Sequence, residues 1–218
     1  LHIGLIPTVG PYLLPQIIPM LHKTFPKLEM YLHEAQTQNL LAQLDSGKLD
    51  CAILALVKET EVFIEVPLFD EPMNLAIYAD HPWADRDRVQ MHELAGEKLL
   101  MLEDGHCLRD QAMGFCFQAG AEEDTHFRAT SLETLRNMVA AGSGITLLPS
   151  LAVPNERKRD GVCYLECYKP VPKLTVALVY RPGSPLRGRY EQLAEAIREH
   201  MQPRMSPEVT NEKLEQAV

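Results

Sequence analysis

Along the first quarter of the chain, short apolar runs alternate with stretches in which apolar positions recur every three or four residues. Leu1-His2-Ile3-Gly4-Leu5-Ile6 reads as a strand. After Pro7-Thr8-Val9-Gly10-Pro11 come Leu13, Leu14, Ile17, Ile18, Leu21 and Phe25 at helical spacing, with Thr8 and Pro11 as the helix-start signals. The unit then repeats. Leu28 to His33 predicts a strand, Thr37 can cap a helix through Leu40, Leu41 and Leu44, Gly47 ends it, and Asp50 to Leu56 returns as a third strand. Strand and helix alternating over short connections predict a parallel α/β sheet. In such sheets ligands collect outside the carboxyl ends of the strands, where helix amino termini present free N–H groups. Thr8 and Thr37 both fall there, and helix capping accounts for each as readily as ligand contact.

From Val66 to Tyr78 the pattern changes, with Pro67-Leu68-Phe69-Asp70-Glu71-Pro72 between two extended runs, as expected for a crossing into a second subdomain. Leu99 to Leu102 predicts a strand. Thr130-Ser131-Leu132-Glu133 matches a capping box opening a helix that stops at Gly142, and Ile145 to Leu148 is again strand-like. Leu174 to Tyr180 is a long apolar strand able to cross back. Leu186, Tyr190, Leu193, Ala194, Ile197 and Met201 mark a final helix, and the polar tail past Pro203 is expected to fray.

Length and charge narrow the function. At 218 residues the chain can form one large or two small domains, and its −9 net charge speaks against direct nucleic-acid binding, which draws on Lys and Arg neutralising phosphates. No apolar run is long enough to span a membrane and no secretory leader is visible, so a cytoplasmic protein without membrane contact is expected. The start at Leu1, already strand-like, suggests a missing amino-terminal part.

The chemistry concentrates in Glu103-Asp104-Gly105-His106-Cys107-Leu108-Arg109-Asp110, with Cys116 following. Thiol reactivity belongs to the thiolate, and cationic or hydrogen-bonding neighbours such as His106 and Arg109 favour it. Asp110, Glu103 and Asp104 act in the opposite sense. If 107–116 formed one helix, its two ends would stand about 13 Å apart, whereas a disulfide needs Cα atoms roughly 4.4–6.8 Å apart. A bond between them would therefore unwind the segment. Phe115 and Phe117 are expected to keep Cys116 in apolar surroundings. Cys51 reads as a core thiol, and Cys163 and Cys167 lie about 13 Å apart along a strand, too far to bond. No metal site or cofactor is expected.

The segments Leu1 to Pro15, Leu44-Asp45-Ser46-Gly47-Lys48-Leu49-Asp50 and Gly142-Ser143-Gly144-Ile145-Thr146-Leu147-Leu148-Pro149 resemble the effector domain of LysR-type transcription regulators. Gly105 to Gln111, with Cys116, resembles the peroxide-sensing members of that family. The resemblance implies an α/β protein of two Rossmann-like subdomains joined by two crossing strands, like the type 2 periplasmic binding proteins. The first would be 1–70 plus 178–218, the second 71–177. It further implies that Cys107 is oxidised by hydrogen peroxide to sulfenic acid and bonds Cys116, with Thr8, Thr37 and His106 lining the peroxide pocket.

Expected partners are hydrogen peroxide, a second copy of the regulatory domain within a tetrameric full-length protein, glutaredoxin or thioredoxin as reductant, and DNA and RNA polymerase through the full-length protein only. Some relatives carry an arginine where this chain has Leu174, preceded here by Lys173, which leaves thiolate stabilisation to His106, Arg109 or helix dipoles. Two other readings stay open: an effector domain for a small organic ligand in the crevice, and a thiol peroxidase that turns over.

Overall fold

The computed structural model describes residues 1–205, the side chains through 202. The first alternating unit forms as the pattern predicts: β1 (His2–Leu5), α1 (Gly10–Thr24), β2 (Tyr31–Glu34), α2 (Thr37–Asp45) and β3 (Cys51–Ala55), with β1 pairing in parallel to both β2 and β3. Leu13, Ile17 and Leu21 of α1 and Leu40, Leu41 and Leu44 of α2 bury the apolar stripes that gave the helices away. Two start signals differ from expectation. Val9 rather than Thr8 is the N-cap of α1, and Gln36 caps α2 with Thr37 as its first helical residue; neither threonine makes a capping bond.

The expected two runs around Pro67 and Pro72 are one strand, β4 (Ile64–Tyr78). Its first part pairs antiparallel with β11 (Lys173–Tyr180), and a register shift at Val176/Ala177 falls beside Pro67. A bulge of this kind seats a residue that cannot donate to the ladder. From Met73 onward β4 pairs instead with β8 (Thr146–Pro149) and β10 (Val162–Cys167). The main path is β2-β1-β3-β11-β4-β10-β5, where β5 (Arg88–Val89) and β9 (Lys158–Arg159) are short additions on β10.

A second, two-stranded sheet pairs β6 (Lys98–Leu102) in parallel with β7 (Glu122–Ala129), and α3 (Cys107–Gln118) crosses between them. Helix α4 (Leu132–Ala140) follows. Its cap is Ser131, whose hydroxyl accepts from the Thr134 N–H at 3.2 Å, so the expected Thr130–Glu133 box does not form. Helix α5 (Arg187–Met205) runs through Pro203, and the rest of the polar tail lies outside the described residues. Among the described residues no helix is long and apolar enough to cross a membrane.

Candidate functional site

Three helix beginnings meet at one crevice. Its lining is Ile6, Pro7 and Thr8 before α1, Gln36 and Thr37 at the start of α2, and Gly105, His106 and Cys107 at the start of α3. Each helix brings the positive end of its dipole, which favours an anion such as a thiolate. The structure thus brings Thr8, Thr37, His106 and Cys107 together. The space between them is too narrow for a water molecule as it stands, so a ligand enters only when side chains move apart.

The approach to the thiol is fixed by Gly105. Its φ of 94° lies in the left-handed region, and a Cβ there would meet Gln36 Oε1 at 2.8 Å. Glycine alone satisfies both demands. His106 is the N-cap of α3 and is buried, its Nε2 4.0 Å from a Glu103 carboxylate oxygen. Burial lowers its pKa and so favours the neutral ring, while Glu103 acts in the opposite sense.

Cys107 is 5% exposed. Burial pushes its thiol up, and Asp110 adds to this. The Thr37 hydroxyl and the backbone N–H groups of Ala55 and Leu108 act the other way, with Thr37 the largest of these. The Thr37 hydroxyl has no hydrogen-bond partner among the described residues and stands as a dipole beside the sulfur.

Arg109 is in fact committed elsewhere. Its Nη2 lies 2.9 and 3.1 Å from the two carboxylate oxygens of Glu123, and its Nε is 3.3 Å from Asp104. The charge of Arg109, the expected thiolate-stabilising group, is thus held by two carboxylates. Asp104 is drawn off too, toward Arg128 at 3.1 Å. Lys173 bonds Asp70, and Leu174 is buried, so β11 supplies no cation to the thiol.

Cys116 lies about two and a half turns along the same helix, fully buried, its thiol pushed up to about 12 by burial and by the neighbouring Cys167. Helix rise sets it about 13 Å from Cys107. All five cysteines are free. Phe115 is half-buried, but Phe117 is 53% exposed and so does not wrap Cys116 as expected. Cys51 and Cys167 are buried with thiols raised to about 12 and about 11 by desolvation, as core residues are. Among the described residues no cluster of three or more side chains could hold a metal ion.

Sequence reasoning missed three contributors. Gln111 Nε2 donates to the Leu56 carbonyl at 3.1 Å, bracing α3 on the end of β3. The Ala55 N–H and the Glu123 carboxylate are the other two. A glutamine or a charged residue in isolation carries no signal of its partner, and a backbone N–H carries none at all.

This arrangement, a crevice at helix amino termini on a sheet exchanged through two long strands, is that of the type 2 periplasmic-binding-protein-like fold. The chain belongs to the LysR substrate binding domain family, whose model matches residues 1–202. It is 88% identical over 202 residues to a hydrogen peroxide-inducible genes activator of Pectobacterium carotovorum subsp. carotovorum, covering 93% of this chain and 67% of that protein. The chain thus spans about two thirds of the length of that relative. Crystal structures of the oxidised and reduced forms of OxyR superpose with TM-scores of 0.89 and 0.89, at 82% and 79% identity. Each comparison covers 94% of this chain and 97% of the solved one.

Proposed function

We propose that this chain is the redox-sensing part of a peroxide-responsive transcription regulator, with Cys107 as the sensing thiol and Cys116 as its resolving partner. One observation carries the reading: a nearly buried cysteine opens a helix in a crevice with two threonine hydroxyls and a neutral histidine, and a second cysteine lies on the same helix. The relative's name and the existence of oxidised and reduced OxyR structures support it.

The chemistry follows from the groups present. Hydrogen peroxide is neutral and both donates and accepts hydrogen bonds, as do the hydroxyls of Thr8 and Thr37. The Cys107 thiolate attacks one peroxide oxygen and the O–O bond breaks. Sulfur is oxidised to sulfenic acid, and the departing hydroxide takes a proton to become water. The Cys116 thiolate then attacks the Cys107 sulfur, the S–O bond breaks, and a second water leaves as the disulfide forms. Two thiols are oxidised and one peroxide is reduced to two waters.

Because about 13 Å of helix separates the two residues, α3 unwinds, and the covalent bond holds the new shape. The bistable element is this segment. We infer that it moves subdomain 71–177 against subdomain 1–70 plus 178–218, and that copies of the chain rearrange in consequence. DNA and RNA polymerase are met by the part of the protein beyond this domain, and glutaredoxin or thioredoxin reverses the bond. The protein is a sensor that reacts once per cycle rather than an enzyme.

The test is peptide mapping by mass spectrometry, with differential alkylation, after one equivalent of hydrogen peroxide meets the reduced protein. A rapid 107–116 disulfide, with Cys51, Cys163 and Cys167 still alkylated, is expected. Absence of that bond, or oxidation of all five thiols alike, would sink the proposal.

A further inference from the structure

One buried acid takes no part in this scheme. Glu71 is 0% exposed and sits opposite Leu174, where β4 is about to exchange β11 for β8 and β10. Its Oε1 accepts from the Leu151 N–H at 2.7 Å, in the single turn of 3₁₀ helix Ser150–Ala152. Its Oε2 has no hydrogen-bond partner among the described residues. Directly across the ladder stands only a buried leucine side chain.

The charged groups on the surrounding elements are engaged with one another. Lys173 and Thr175 bond Asp70 on the opposite face of the β4–β11 ladder. On α4, Arg136 binds the Ala152 carbonyl and Glu133, which also receives the Tyr12 hydroxyl of α1. Arg198 of α5 is held by Glu195 and the Pro67 carbonyl, and Glu166 of β10 by Arg88. Among the described residues no ion pair reaches Glu71. Burial, opposed only by the Leu151 and Ser150 backbone, pushes its carboxyl up to about 7.

We propose that Glu71 is a proton-dependent pin between crossing strand β4 and the 150–152 turn, holding them together as the neutral acid and releasing them as the carboxylate. The reason is the unpartnered oxygen. A neutral carboxyl tolerates a dry site, whereas an ionised one without a counter-charge is costly to bury. Its free oxygen then requires water or a cation, and separation of β4 from the turn admits either. The strand that passes from one set of partners to the other is thereby less firmly held above neutral pH. This goes beyond the peroxide reading and does not rest on it.

The experiment compares the reduced chain with its Glu71→Gln and Leu174→Lys variants, following unfolding between pH 4.5 and 8 and hydrogen exchange at the Leu151 amide. The native unfolding equilibrium should shift toward the unfolded state as pH rises, relative to Glu71→Gln, with a ceiling of roughly 300-fold. Leu151 should lose protection over the same window in the native protein but not in Glu71→Gln. An ammonium at position 174 should pair with the ionised acid and flatten the slope. Profiles that coincide for all three proteins overturn the pin. If the variants do not fold, isotope-edited infrared spectroscopy of the native chain decides. A protonated glutamate band present at pH 6 and gone by pH 8 supports the pin, and its absence at pH 6 overturns it.

Discussion

One guanidinium nitrogen of Arg109 contacts both carboxylate oxygens of Glu123, at 2.9 and 3.1 Å, and so ties the first turn of α3 to β7. Arg109 is 5% exposed, and its other carboxylate, Asp104, stands in solvent. Removing one partner of a buried pair strands the other charge. Glu123→Ala should therefore destabilise the reduced protein by about 3 kcal/mol in urea unfolding. In the proposed scheme it should also hasten disulfide closure, because the helix that must unwind has lost a tie. Equal closure rates in stopped-flow thiol assays would show that the tie plays no part in switching.

The Cys107 thiol is raised by burial, so its thiolate is a minor species at neutral pH. Its rate of reaction with peroxide should climb about tenfold per pH unit from pH 6 to 8 without a plateau. Thr37→Val removes the largest group that favours the thiolate. The rate at pH 7 should then fall about tenfold, the value of one hydrogen bond to a charge. A plateau below pH 8 would mean that the sulfur is held as thiolate by something other than these neighbours.

His106 has its pKa lowered, chiefly by burial. The folded protein therefore resists its protonation more than the unfolded chain does. The sign follows: this residue's contribution to stability is present above the unfolded value near 6.5 and diminishes as pH falls below it. A ring-proton NMR titration should find the His106 midpoint below 6.5. His106→Gln should remove part of the acid sensitivity of unfolding, and an unaltered acid limb would place that sensitivity in other groups.

Cys116→Ser replaces a fully buried sulfur with a more polar hydroxyl. An unsatisfied buried hydroxyl costs about 1–3 kcal/mol, which calorimetry would register. Under the proposed chemistry, peroxide should leave Cys107 as a sulfenic acid trappable by dimedone, with no 107–116 bond. Failure to trap it in a folded variant would count against Cys107 as the first thiol to react.

Much of the fold was legible because its elements have one apolar face or none exposed. Helix α1 betrayed itself by Leu13, Ile17 and Leu21, and β3 by a run in which every residue is buried. Strand β7 was not legible: Glu122, Glu123 and Asp124 open a strand of which only Ala129 is fully buried, so no period of two marks it. The prolines of β4 read as breaks because a bulge formed with β11 is invisible in one strand alone. In the site, Thr8 and Thr37 could be placed where a strand hands over to a helix, whereas their grouping with His106 and Cys107 came from the family resemblance. The partners of Arg109 were not legible, because proximity in sequence to a thiol says nothing of a carboxylate fourteen residues on.

The full burial of Cys116 gives the proposed cycle a direction. In the resting form one sulfur lines the crevice, where an oxidant meets it once side chains part, while the other is sealed in the interior. Once the segment has unwound, both sulfurs belong to a chain that has left its packing, and a reducing protein has something to grip. The two halves of the cycle then draw on different surfaces of one molecule. Packing at position 116 sets how readily the signal is raised, and the accessibility of the unwound segment sets how long it lasts.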